Sequence, residues 1–287
     1  MIGLKRGDVK LCEHEKEWEI EAENTILRLR KILGGVITDI QHVGSTSVPS
    51  IKAKPIIDIA LAADRFEDIL AYEKELRDEG FYYRLNGREP VGRQLLFACG
   101  SYYDGTGDLQ THFIHVVLTN SEDWVHYVNF RDYLNDKPAA AKEYENLKVS
   151  LARGEGNRQR YTEGKHDFIV RTLRSALAHS YLGKTVDIKI DRPLGSVHPK
   201  YADMTYPVNY GFVPGVLGGD GEELDAYLLK VDEPVKEYRG RVIGVVYRKN
   251  DAEDKLVAAP EGVSLSKEEI ERAVDFQERY FESEIEI

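Results

Sequence analysis

At "AHSYLGKTVDIKIDRPLGS", residues 178 to 196, the spacing of apolar side chains changes from that of helices to that of strands. Before this point, long stretches repeat their apolar residues every three or four positions. After it, "KTVDIKI" alternates every second position. Helical periodicity stops here and short strands separated by Pro and Gly turns follow, so the chain is expected to fold as two units with a seam at about 178 to 184. At 287 residues it is long enough for each unit to bury a core of its own. The expected units are residues 1–178 and 184–287.

The first unit reads as mixed α/β (α+β). "KEWEIEAENTILRLRKILG" places Trp18, Ala22, Ile26, Leu29 and Leu33 on one helical face, with Gly34 and Gly35 as a stop. "VITDIQHVGS", "KPIIDIALAA", "RQLLFAC" and "THFIHVVLT" read as strands. "FEDILAYEKELRDEG", "DWVHYVNFRDYLNDKPAAAKEYENLKVSLARG" and "GKHDFIVRTLRSALAHS" read as helical. In the second unit, "KTVDIKI", "DAYLLKV", "GRVIGVVYR" and "KLVAA" are short strands divided by Pro and Gly turns. They predict a small, mostly β, OB-like barrel. "SKEEIERAVDFQERYF" predicts a closing helix, with Ser266 and Glu269 in capping-box spacing.

Composition narrows the function. A net charge of −11 disfavours nonspecific attraction to nucleic acid or an anionic membrane, both of which need cationic neutralisation of phosphates. No run approaches the roughly 18 apolar residues of a membrane span, and the N-terminus lacks a signal-peptide core. The two cysteines, Cys12 and Cys99, make no metal-type spacing, so a reducing cytoplasm is the expected setting. Expected partners are a phosphorylated small molecule or nucleotide and diphosphate, with no membrane and no nucleic acid. The sequence leaves a homo-oligomer open.

In "QHVGSTSVPSIKAKPIIDIA", a Gly44 turn offers backbone N–H groups and the hydroxyls of Ser45, Thr46 and Ser47 to a phosphate, and Lys54 adds a cation. Asp58 interrupts an apolar strand, and a carboxylate buried there needs a partner: Lys54, Arg93 or a metal. On "THFIHVV", His115 shares a strand face with Phe113 and Val117, while His112 faces away, which disfavours a paired histidine grip on zinc. These residues, with "FRDYL" and "YTEGKHDFI", resemble the GrpB family, which has a nucleotidyltransferase-like fold. That fold implies two carboxylates at alternate strand positions sharing Mg²⁺. Here Asp58 is followed at that spacing by Ala60, so half the pair is missing. The resemblance implies a phosphate or nucleotide site at Gly44 to Ser47, Lys54, Arg93 and His115, with Asp58 as the metal ligand.

"MTYPVNYGFVPGVLGGDGEELDAYLL" resembles soluble inorganic pyrophosphatases, as do "DAEDKLVAAP" and "FQERYF" downstream. Diphosphate is highly charged, and hydroxide attack on it requires divalent cations held by several carboxylates. The resemblance implies Asp220, Glu222 and Asp225 on one side of the site, Asp251 and Asp254 opposite, and Mg²⁺ or Mn²⁺ between them. Lys255, Lys200, Tyr210 and Tyr280 would hold phosphate oxygens, with Asp220, Asp225, Lys255 and Tyr210 at the reaction centre. Three departures thin the cationic side: a shortened segment from Asp191 to Tyr206 without an obvious phosphate-binding arginine, Asp254 directly before Lys255, and Phe281 in place of a lysine. The expectation is metal-dependent phosphate chemistry, with nucleotidyl transfer releasing the diphosphate that the second unit hydrolyses. The alternative is a nucleotide- or phosphometabolite-binding sensor or scaffold.

Overall fold

The computed structural model describes residues 1–84, 94–153, 158–201 and 203–287. The chain separates into two compact units, Met1–Ile169 and Val170–Ile287.

The first unit runs β1 (Leu4–Lys5), α1 (Glu17–Leu33), β2 (Asp39–Val43), β3 (Ile57–Ala63), α2 (Phe66–Leu70), α3 (Glu73–Asp78), β4 (Tyr82–Tyr83), β5 (Gln94–Cys99), α4 (Ser101–Asp104), β6 (Leu109–Gln110) and β7 (His112–Leu118). It continues with α5 (Glu122–Asp136), α6 (Pro138–Arg153), α7 (Arg158–Glu163) and the start of α8 (His166–Ser180). A five-stranded sheet in the order β2-β3-β7-β5-β4 forms its centre. Among the described residues of this sheet only β3 and β7 pair in parallel, and both lie inside it, so their sequences are mostly apolar. The stripe Trp18, Ala22, Leu29 and Leu33 buries α1 in the core, with Ile57, Ile59, Phe97 and Ile114 of the strands in the same cluster. The stretch 66–80 is broken into α2 and α3 rather than forming one helix. The long helical stretch after Ser121 is likewise split at Pro138, because the residue before a proline is driven out of the helical region and Lys137 sits at φ −118°, ψ 84°.

The second unit contains the rest of α8, then β8 (Thr185–Arg192), β9 (Asn209–Leu217), β10 (Glu223–Leu228), β11 (Glu237–Arg248), β12 (Lys255–Ala259), α9 (Lys267–Glu278) and β13 (Ser283–Glu286). Pairing runs β12-β10-β9-β8-β11, and β11 returns to β12, which closes a five-stranded barrel. β8 alternates buried and exposed residues along its length, as its sequence requires. Gly211 lies where β8 and β9 nearly touch: a Cβ there would sit 1.9 Å from the Lys189 carbonyl oxygen. The Ser266 and Glu269 capping box forms at the start of α9. Two strands were not expected. β9 runs through Gly and Pro residues that read as turns, and β13 is a short charged segment that adds to the β11 edge. Among the described residues, no helix is long and apolar enough to cross a membrane.

Candidate functional site

In the first unit, Gly44 ends β2 with φ +72°. The conformation suits glycine for two reasons: the positive φ itself, and the Asp58 Oδ2 atom that would lie 2.7 Å from any Cβ. The chain then makes a turn of 3-10 helix over Ser45–Ser47. The three hydroxyls do not open into one cavity. Thr46 is buried with its Oγ1 2.9 Å from His42 Nε2, and Ser47 Oγ donates to the Gly44 carbonyl at 2.6 Å. Only Ser45 lines a cavity, one of about 170 Å³ shared with Lys5, Lys54, Asp58, Tyr161 and Lys165. The Lys54 and Lys165 ammonium groups lie 4.1 and 4.7 Å from the Tyr161 ring centroid. Burial lowers the pKa of Lys165, with Asp58 acting in the opposite direction.

Asp58 takes a histidine as its direct partner. His115 Nε2 donates to Asp58 Oδ1 at 3.1 Å, and His115 Nδ1 lies 3.0 Å from the Tyr127 hydroxyl, which also donates to Gln94 Oε1. In the β3–β7 register His115 stands opposite Ala60, the position of the missing second carboxylate. Asp58 and His115 therefore form one polar chain beside the cavity. His112 faces the other side, where it lies 3.3 Å from Thr25 Oγ1, so the two histidines do not share a site. Arg93 falls outside the described residues.

In the barrel, a cavity of about 500 Å³ is lined by Asp220, Glu222, Asp225, Glu253, Lys200 and Arg192, among others. β10 and β12 are parallel neighbours, and their start brings Asp225 and Lys255 together. The buried Lys255 ammonium donates to Asp225 Oδ2 and to the Tyr210 hydroxyl at 2.6 Å each, and to Glu253 Oε2 at 2.7 Å. Tyr210 also donates to Asp225. Burial, reinforced by the Asp225 charge, holds the Tyr210 hydroxyl well above the usual tyrosine range, so it stays protonated.

Two expected metal ligands are held by other partners. Asp254 borders the acidic cavity, but its carboxylate is buried and taken: its Oδ2 accepts from Ser175 at 3.0 Å and Arg174 at 3.2 Å, and its Oδ1 from the Arg248 backbone. Asp251 pairs with Arg248 at 2.9 Å and lines a different cavity, as does the exposed Tyr280. Glu253 was overlooked. It lies two residues before Lys255, the spacing that returns to the same side of an extended chain, and alternation points to it rather than to Asp254. Arg192 was overlooked as well. The β8–β9 register slips between Ile190 and Arg192, and Arg192 reaches the acidic cavity. Its Nε is buried and has no hydrogen-bond partner among the described residues.

The donor set fits a hard divalent cation in kind, since the carboxylates of Asp220, Glu222, Asp225 and Glu253 line one cavity. They are not gathered at ligand distance, and among the described residues no three such donors converge. The Lys255 ammonium instead bridges Asp225 and Glu253.

A family model described as GrpB protein matches residues 8–175, and one described as inorganic pyrophosphatase matches residues 182–286. The Glutamate-rich protein GrpB of Alkalihalophilus pseudofirmus is 34% identical over 174 residues, covering 60% of this chain and 98% of that protein. The inorganic pyrophosphatase of Sulfolobus acidocaldarius is 38% identical over 90 residues, which is 30% of this chain and 49% of that protein, so the chain spans about half the length of that relative. A crystal structure of GrpB from Enterococcus faecalis superposes with a TM-score of 0.53 at 26% identity, covering 60% of this chain and 99% of that one.

Proposed function

The chain belongs to the GrpB family and carries an inorganic-pyrophosphatase-like domain after its GrpB domain, and from that premise we propose that the barrel hydrolyses a phosphoanhydride of the diphosphate type. The observation that carries this reading is the acidic cavity in which Lys255, Tyr210, Asp225 and Glu253 are joined by short hydrogen bonds and Arg192 presents an unpartnered buried donor. A phosphate oxygen satisfies such a donor, and a buried lysine beside it supplies compact positive charge. Mg²⁺ or Mn²⁺, held by Asp220, Glu222, Asp225 and Glu253, would neutralise the diphosphate and acidify a water. Tyr210, kept protonated, donates to a phosphate oxygen once substrate competes for Asp225. Lys255, released from one carboxylate, turns its charge to the same phosphate.

The first unit is assigned the binding of a phosphorylated small molecule or nucleotide at Ser45, Lys54 and Lys165. Two-metal nucleotidyl transfer there is disfavoured by the position of His115 on Asp58 and by Ala60.

Phosphate release from diphosphate by the full chain with Mg²⁺ or Mn²⁺ tests the barrel. Turnover is expected in the wild type and a loss of at least 100-fold in Asp225→Asn. Equal rates in both would remove Asp225 from the chemistry. The Lys255 bridge between Asp225 and Glu253 favours a second reading, a metabolite sensor without turnover. Ligand binding by calorimetry with no product under either metal would select it.

A further inference from the structure

Beside the acidic cavity the barrel unit has a second one, of about 750 Å³, and Glu253 lines both. The two differ in chemistry. The second is walled by aromatic rings, among them Tyr201, Phe276 and Phe281. Tyr201 is 61% exposed, with its ring centroid 4.8 Å from that of His198. Neither of the two arginines that line it is offered to a phosphate: Phe281 covers the Arg248 guanidinium at 3.6 Å, with Glu278, Asp251 and Glu253 neutralising it, and Arg279 pairs with Asp275. Gln277 and Thr205 add side chains that hydrogen-bond in either sense.

Free diphosphate has no carbon and gains nothing from an aromatic wall. A flat heterocycle does, since stacking on an aromatic side chain tolerates any base and polar groups at its edge fix its orientation. We propose that this cavity receives the organic half of the substrate, and that the anhydride bond cleaved in the acidic cavity belongs to a nucleoside 5′-diphosphate. The inference rests on the hydrolytic reading of the barrel and names its substrate class. In the reaction, a water oxygen bonds to the terminal phosphorus and the bridging P–O bond breaks. The leaving nucleoside monophosphate keeps the electron pair, and the water loses its proton to solvent. The products are a nucleoside monophosphate and inorganic phosphate.

The test compares steady-state kinetics of the full chain with Mg²⁺ on a nucleoside 5′-diphosphate and on inorganic diphosphate, for wild type, Tyr201→Ala and Tyr201→Phe. Removing the ring is expected to raise KM for the nucleotide about tenfold and leave inorganic diphosphate unchanged, while Tyr201→Phe keeps the wild-type value. An unchanged nucleotide KM in Tyr201→Ala, or an equal loss on both substrates, overturns the proposal. Saturation-transfer NMR with the same nucleotide reads the cavity without turnover. Contact signals from the base that vanish in Tyr201→Ala and persist in Asp225→Asn support it even if hydrolysis fails. Signals indifferent to Tyr201 refute it.

Discussion

Two histidines of the first unit, the half-buried His42 and the buried His112, make its stability sensitive to acid. Burial is the foremost cause that lowers His42 to about 4 and His112 to about 4, from an ordinary 6.5. Between those values the unfolded chain binds protons that the folded one refuses, so stability is complete above pH 6.5 and falls as pH drops toward 4, where the loss levels off. Each histidine can contribute about 3 kcal/mol to that loss. The expected result is a steep decline in denaturation free energy of the first unit from pH 6.5 to 4, flattened in His42→Gln/His112→Gln. A slope identical in the variant would assign the acid sensitivity to other groups. Residue by residue, the sequence was legible where chemistry and period agree. Asp58 needed a partner and has one, though it is His115 rather than Lys54, Arg93 or a metal, and Lys255 meets Asp225 and Tyr210. It was not legible where a motif was matched letter by letter. Asp254 looks like the family's aspartate, but Arg174 and Ser175 take its carboxylate, and Glu253 is the one beside the lysine.

At the scale of elements, the end of β11 and the end of α9 are fastened by one buried ion pair. Arg248 donates to Glu278 at 3.0 and 2.7 Å, and Glu278 also accepts from the Tyr227 hydroxyl at 2.5 Å and from Ser283 at 2.7 Å. Removing one member of such a pair strands the other charge out of water, which costs about 3–5 kcal/mol. Replacing both by apolar groups costs far less. Urea unfolding of the barrel should therefore show that large loss for Arg248→Met and recover most of it on adding Glu278→Leu. In the double variant Tyr227 still has Gln277 Oε1 as its acceptor at 3.0 Å. A double variant as unstable as the single one would mean that Arg248 acts through its stacking on Phe281. Nothing in the sequence announces this pair, because Arg248 and Glu278 lie far apart in the chain and each reads as an ordinary charge at an element's end. The elements themselves were legible wherever apolar period ran uninterrupted, as in α1, β3 and β8. They were missed where Gly, Pro or charge hid the period, as in β9 and β13.

For the whole molecule, α8 is the element on which the division into units bears. Phe168, near its start, stacks on Tyr144 in the core of the first unit, with ring centroids 5.0 Å apart. Ala178, near its end, belongs to the barrel core, and Arg174 and Ser175 hold Asp254 there. Asp254 sits between Glu253 and Lys255, so the second half of α8 fixes the segment that carries two residues of the acidic cavity. Stability should be partitioned accordingly, since local unfolding follows cooperative units rather than the boundaries of single helices. In a barrel destabilised by Val257→Ala, a fully buried position, hydrogen exchange is expected to accelerate over residues 170–180 together with β9, β10 and β12, while β3 and β7 keep wild-type protection. Arg174→Met should lower hydrolysis of diphosphate through misplacement of Lys255, with kcat falling and metal dependence retained. If residues 170–180 instead follow β3 and β7, the helix belongs to the first unit along its whole length, and Arg174→Met should leave kcat where it was.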